Sequence, residues 1–301
     1  MAGRRTRTPL VLLVLAAAAV LAALFVARRV ATPPPSGAPA TPASAPWTSR
    51  DPATSDKVVR ARLYTELQPV TLANCTLERI GEARDGGYLM CGNLIDAEVG
   101  YSYGISGYDG WGCGISTRLH VPVHQYDCFD QRQPGCDGGD MRFHPECIAA
   151  TASTDAAGRP FDSLASQMAR NGDAERRAIV KMDVEGAEWD SLLATPPAVL
   201  ARIDQLAIEM HGNDPDVWKQ FLVVSKLKDQ FHVAHLHFNN YGCRADLEPF
   251  PSYAWEVLFV NKRLGVLADD QTPRQRPHPL DAANYPDGPD CQYLPGSAAS
   301  P

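Results

Sequence analysis

Residues 178–193 read AIVKMDVEGAEWDSLL. The first five are apolar but for one lysine, as in a strand buried on both faces, and Asp183 closes them. Glu185 and Glu188 follow at once, so a single βα turn carries three carboxylates within six residues. Like charges packed so closely repel, and a fold keeps them together only where donors, a cation or a ligand offset the repulsion. The run therefore predicts a strand ending at a site, with a helix from Glu188 to Leu193 behind it.

Outward from this turn, strand and helix patterns alternate. The pattern predicts a helix over Lys57–Leu67 and a hairpin of Leu77–Ile80 and Tyr88–Cys91 about the turn residues 84–87. Strands are expected at Gly100–Ile105, His120–Tyr126, Phe143–Ala150, Ile203–Met210, Phe231–Phe238 and Tyr253–Val260. Helices are expected at Trp111–Arg118, Phe161–Arg170 and Asp214–Asp229. Alternation of this kind predicts a doubly wound α/β fold, a mostly parallel sheet covered on both faces. Ligands of such sheets bind beyond the carboxyl ends of the strands.

Two more strand ends attract attention for that reason. YSYGISG at 101–107 supplies Gly104 and Gly107, which let the backbone approach a ligand, followed by amides that can meet an anion. Asp127 ends HVPVHQYD, 23 residues beyond Gly104, about where nucleotide-binding folds set an acid against ribose hydroxyls. Asp130 is the substitute if the strand ends later. Further on, Glu209 and His211 end one strand, and His235, His237 and Asn239 share a face of another. This set can bind and deprotonate a hydroxyl; its neutral imidazoles and carboxylates can also hold a divalent ion that acidifies that hydroxyl, and structural hydrogen bonding is the third reading. Trp111, Trp189 and Trp255 read as core aromatics ahead of a sugar-stacking platform.

The string KMDVEGAEWDSLL resembles the K-I-D-V-E-G-x-E signature of the FkbM-type S-adenosylmethionine-dependent methyltransferases. DGGYLMC at 85–91, YSYGISG, QLAIEMHG at 205–212 and HLHFNNYGC at 235–243 resemble a related group that includes methyltransferase-like protein 24. The likeness runs in order from about residue 77 to 262. It implies a seven-stranded, Rossmann-like methyltransferase sheet with an N-terminal β-hairpin extension, and S-adenosyl-L-methionine as cofactor. Gly104, Ser106 and Gly107 would lie along its methionine part, Asp127 on the ribose, Cys147 and Ile148 beside the adenine, and Asp183 between cofactor and acceptor. Asp183, Glu209, His211 and His235 would form the catalytic set. The acceptor implied is a small or carbohydrate-like molecule methylated on oxygen. YSYGISG departs from the usual glycine-rich form by its serine and tyrosines. A noncatalytic binding domain and a metal-dependent hydrolase using Asp183, Glu209, His211 and His235 are the other readings.

Composition bounds the rest. Of 301 residues, 45 % are hydrophobic and 21 % charged, which excludes a wholly disordered or coiled-coil chain. Five arginines and no acid lie in the first 30 residues, so residues 31–301 carry 23 bases against 35 acids, a net −12. That balance excludes nonspecific nucleic-acid binding. After a basic segment at 1–9, residues 10–27 are eighteen apolar residues, about 27 Å of helix, and read as an uncleaved membrane anchor. The arginine excess before it sets the N-terminus in the cytoplasm and the folded domain on the lumenal or periplasmic side. A Pro/Ala-rich linker at 28–56, the domain at 57–264 and a Pro-rich tail at 265–301 complete the organisation. Eight cysteines without zinc-ligand spacing predict two to four disulfides on the far side of a membrane, or small buried thiols in a reduced compartment.

Overall fold

The computed structural model describes Asp51 and residues 54–291. The apolar run at 10–27 lies outside them; among the described residues no helix is long and apolar enough to cross a membrane.

The chain enters through helix α1 (Asp56–Glu66) and a hairpin of β1 (Leu77–Gly81) and β2 (Gly87–Cys91), paired antiparallel as a separate two-stranded sheet. Strand β3 (Val99–Tyr103), buried along its whole length, leads into α2 (Gly110–Leu119). The side chain of Asp109 caps that helix, taking the Gly112 N–H at 2.7 Å, and is held in turn by Ser102 and Gln125. His120 stops α2 in the left-handed region, which delays β4 to Pro122–Tyr126.

The strand expected at Phe143–Ala150 is two strands. Pro145 has no N–H to give a ladder, so β5 (Asp140–His144) ends before it on the main sheet. Beyond it β6 (Cys147–Ile148), β7 (Ser153–Thr154) and β8 (Pro160–Asp162) form a small sheet of their own. The helix expected from Phe161 accordingly starts later, as α3 (Leu164–Arg170), capped by Ser163.

After it come β9 (Ala178–Asp183), α4 (Ala187–Ala194), α5 (Pro197–Leu200), β10 (Ile203–His211), α6 (Val217–Gln230), β11 (Phe231–Phe238) and β12 (Ala254–Asn261). All nine residues of β10 and all eight of β12 are buried, including the polar Asp204, Gln205, Glu209 and His211 of β10 and Glu256 and Asn261 of β12.

The main sheet has seven strands in the order β11-β12-β10-β9-β3-β4-β5. Every strand runs parallel to its neighbour except β12, which is antiparallel to both β10 and β11. This is a mixed α/β, Rossmann-like architecture. One face packs against α1, α3, α4 and α6, and the other against α2 and the hairpin. Trp111, Trp189 and Trp255 are core residues, each no more than 2 % exposed. From β3 the chain winds outward through β4 and β5, then returns to β9 on the other side of β3, so the β3/β9 boundary is the switch point.

Four disulfides fasten the loops: Cys75–Cys91, Cys113–Cys136, Cys128–Cys147 and Cys243–Cys291. No described cysteine is free. The segment 265–291 crosses the hairpin face, with Asn284 buried against Asp85 and Glu256, and Cys291 fixes its end.

Candidate active site

The β3–α2 turn lies at the switch point, and its backbone is unusual. Gly104 has φ +69° and Ser106 φ +45°. A Cβ at position 104 would run into the carbonyl oxygen of Asp183, so the turn and the end of β9 approach as closely as glycine permits. Asp127 fixes the other side. Its Oδ2 accepts the Ser106 N–H at 2.8 Å, and its Oδ1 accepts the N–H groups of Phe129 and Asp130 at 2.8 and 2.9 Å. One carboxylate thus joins the β3 and β4 exits, which accounts for a non-glycine residue in the left-handed region at 106.

These loops surround a cavity of about 360 Å³, within the range of small-molecule sites. Gly104, Ser106, Asp127, Ile148 and Asp183, all predicted from sequence, line it together with Asp130, Tyr103 and Cys147. Phe129 and Phe161 add apolar wall that the sequence reading did not single out. Phe129 is 69 % exposed, with the Arg159 guanidinium 4.0 Å over its ring, so a large aromatic stands at the rim. Gly107 does not line the cavity; it faces the Arg132 side chain. The Cys128–Cys147 bond ties the β4 exit to β6 and so holds two walls together.

Asp183 borders this cavity and begins a second constellation. Across the sheet Asp183 is register partner to Glu209, Glu209 to Glu256, and Glu256 to His237, so three carboxylates and an imidazole form one row on the hairpin face. Lys181, two residues before Asp183, donates to the carbonyls of Tyr103 and Gly104 at 3.1 and 2.8 Å and stands 4.0 Å from Asp183 Oδ2. The Tyr88 hydroxyl reaches the same oxygen at 3.4 Å. Burial raises the Asp183 pKa above the ordinary carboxylate value, while Lys181 and His211 oppose the rise.

His211 follows Glu209 on the same face of β10 and is fully buried. Glu188, also fully buried, accepts its backbone N–H at 2.7 Å, lies 3.3 Å from its Nδ1, and takes the Gly186 N–H at 2.8 Å on the other oxygen. Nε2 is left pointing among carboxylates: 3.5 Å from Glu209, 3.5 Å from Glu185 and 4.0 Å from Asp183. Asn239 donates to both oxygens of Glu209 at 3.2 and 3.1 Å. Burial pulls the His211 pKa down, but the carboxylates of Glu188 and Glu209 beside its ring prevail and lift it to about 11. Burial, with Asp183 and Glu256 nearby, pushes Glu209 up to about 7.

Glu188 is thus the residue that orients His211, a role its place in DVEGAE did not disclose. His235 is not part of this cluster. Its Nε2 lies 2.9 Å from Asp281 of the C-terminal segment, and its ring meets His278 edge to face. His237 instead joins the row, 2.9 Å from Glu256 through Nδ1 and 3.4 Å from Asp290 through Nε2.

No family model, curated protein or solved structure matches the chain.

Proposed function

We propose that the chain is an S-adenosylmethionine-dependent methyltransferase of the FkbM-type class, acting on an oxygen of a small or carbohydrate-like acceptor. The observation that carries this reading is the junction at Asp183. On one side of it lies a cavity with a glycine turn, a strand-end acid and apolar walls; on the other lies a buried carboxylate–imidazole cluster. A donor and an acceptor bound to the two halves would meet at that residue.

The residues present fit the cofactor. Glycine at 104 lets the turn close against the Asp183 carbonyl, where any side chain would collide, and so shapes the cavity, while the Tyr103 hydroxyl is buried without a hydrogen-bond partner. Asp127 and Asp130 are the acids available to ribose hydroxyls, and Ile148, Phe161 and Phe129 are the surfaces available to a flat base. When bound, the sulfonium supplies an electrophilic methyl group. The protein's part is to orient the acceptor and to take its proton, because an alcohol is a poor nucleophile until that proton leaves. Asp183, Glu209 and His211 stand where the acceptor hydroxyl would be held, and Glu188 fixes the imidazole. With a sulfonium donor bound, the acceptor oxygen would take the methyl group, the donor would leave as a neutral thioether, and the acceptor proton would pass to the cluster.

The seven-stranded, mostly parallel sheet agrees with the one that the resemblance implies. Four disulfides suit an oxidising compartment, in line with a domain on the lumenal or periplasmic side of an N-terminal anchor. His235, counted in both the methyltransferase and the hydrolase sets, lies apart from His211, 2.9 Å from Asp281.

Isothermal titration of the full chain with S-adenosylhomocysteine tests the proposal. One saturable site is expected; an absence of saturable binding would overturn it.

A further inference from the structure

The donor atoms of Asp183, Glu209 and His211 all lie within 4.8 Å of one another. His211 Nε2 is 3.5 Å from Glu209 Oε1 and 4.0 Å from Asp183 Oδ1. Hydrogen bonds of this type centre on about 2.9 Å, so these separations are too long for a well-made one. They are the separations of ligands around an ion. Two donors at about 2.1 Å from one metal stand roughly 3.0 Å apart at a right angle and roughly 3.4 Å apart at the tetrahedral angle, and more at wider angles. A small closure of these side chains would complete such a set.

A second observation lies on the far side of the imidazole. Metal-bound histidines hold their other ring nitrogen against a carboxylate or carbonyl, which fixes the tautomer and aims the free nitrogen at the ion. Glu188 does this for His211: it has no solvent exposure, sits 3.3 Å from Nδ1, and is itself held by the N–H groups of His211 and Gly186. A buried carboxylate serving only to steady the backbone would not need to reach the ring. Charge argues the same way. Four carboxylates, Asp183, Glu185, Glu188 and Glu209, surround one imidazole, which even when protonated offsets only one of them, and the nearest ammonium, Lys181, spends its hydrogen bonds on two carbonyls.

We propose that Asp183, Glu209 and His211 form a binding site for one divalent metal ion of the Mn²⁺ class, at the edge of the cavity where Asp183 lines both. Two carboxylates and one imidazole are a mixed hard and borderline set that suits Mn²⁺ or Zn²⁺ and leaves coordination positions open. If the methyltransferase reading above holds, on which this second part rests, an acceptor with adjacent hydroxyls occupies those positions. The ion then lowers the pKa of the attacking hydroxyl. Its proton goes to Glu185, which is 85 % exposed and can release it to water, while the oxygen takes the methyl carbon and sulfur keeps the electron pair of the broken bond.

The experiment uses the full chain in detergent, stripped of metal with a chelator and titrated with Mn²⁺ while the free ion is followed by electron paramagnetic resonance. One ion per chain should bind below millimolar concentration. Pulsed measurements on the bound Mn²⁺ of the unaltered protein should show nitrogen coupling from one imidazole. Glu209→Gln and His211→Ala should each weaken binding at least as much as Glu188→Gln, for which about a ten- to a hundred-fold loss is expected. Asp190→Asn, on the solvent side of α4 and paired with Lys219, should leave it unchanged. No saturable binding, no imidazole coupling, or equal affinity in the His211 and Glu209 variants would each overturn the site, and the coupling measurement needs no variant to fold. A parallel titration with S-adenosylhomocysteine separates the two proposals. Mn²⁺ binding without nucleoside binding keeps the metal site and removes the methyltransferase reading; the converse removes the metal site alone.

Discussion

Gly104 sits so tightly against Asp183 that no side chain fits between the turn after β3 and the carbonyl that ends β9. The contact joins the two central strands at the switch point, and the cavity floor depends on it. Gly104→Ala must both move this backbone and force alanine to φ +69°. Left-handed strain of about 1 kcal/mol and overpacking of about 1–3 kcal/mol predict a loss of roughly 2–4 kcal/mol in stability. S-adenosylhomocysteine binding should be lost with it. Thermal unfolding and calorimetric titration check this; a variant as stable as the parent would show that the turn yields freely.

Asp127 has both oxygens engaged as acceptors of backbone N–H groups, one from the β3 exit and two from the β4 exit. Asparagine is nearly the same shape, yet whichever way its amide is turned, an NH₂ faces an N–H. Asp127→Asn should therefore cost about 1–3 kcal/mol, the range for a buried donor left unsatisfied, and weaken nucleoside binding about ten-fold or more. Denaturant unfolding with ligand titration measures both. Undiminished affinity would remove Asp127 from the proposed ribose contact.

The sequence was most legible where single strands are buried on both faces. AIVKM and the LAI of β10 announce central strands because consecutive apolar residues face both sides of the sheet, and the DVEGAE turn is legible because three carboxylates cannot sit together without a purpose. Less legible was anything set by contact between distant segments. Pro145 was there to divide β5 from β6, but the neighbouring apolar residues outweighed it in the pattern. Cys128 pairs with Cys147, a sequence separation of 19, whereas Cys136 between them turns to Cys113 on α2, a choice made by where α2 packs. Asp281, Asn284 and Asp290 lie in a stretch whose prolines speak of a tail, and their partners His235, Glu256 and His237 are some thirty to fifty residues away. Gly107 looked equivalent to Gly104 by spacing; only the fold sets one against Asp183 and the other against Arg132.

The Cys243–Cys291 bond closes a loop of sequence separation 48 and anchors the segment that carries those three residues. By the loop-entropy relation a loop of this length is worth about 4 kcal/mol to the folded state. Cys291→Ser paired with Cys243→Ser should lower the melting temperature and expose 265–291 to protease before the rest of the domain. Limited proteolysis followed by mass spectrometry reads the order of cleavage. First cleavage elsewhere would mean that Asp281, Asn284 and Asp290 hold the segment unaided.

His237 sets a pH dependence with a definite sign. Its ring is buried, which disfavours the charge, but its hydrogen bonds to Asp290 and Glu256 outweigh burial and raise its pKa to about 10. In the unfolded chain the value returns to about 6.5. Below that pH both states carry the proton and the stabilisation is fully present. Between about 6.5 and 10 only the folded state holds it, so unfolding releases a proton and stability falls as pH rises, by at most about 1.4 kcal/mol per unit, until nothing of this contribution remains above the folded pKa. His211, raised by Glu188 and Glu209, slopes the same way, so the comparison must be made against His237→Gln, which removes one of the two. Urea unfolding from pH 6.5 to 9.5 should give a shallower decline for the variant. With no free thiol among the described residues, alkaline pH does not start disulfide exchange there. Parallel declines in the two proteins would mean that His237 stays neutral in the fold and that Glu256 and Asp290 are steadied by something other than its charge.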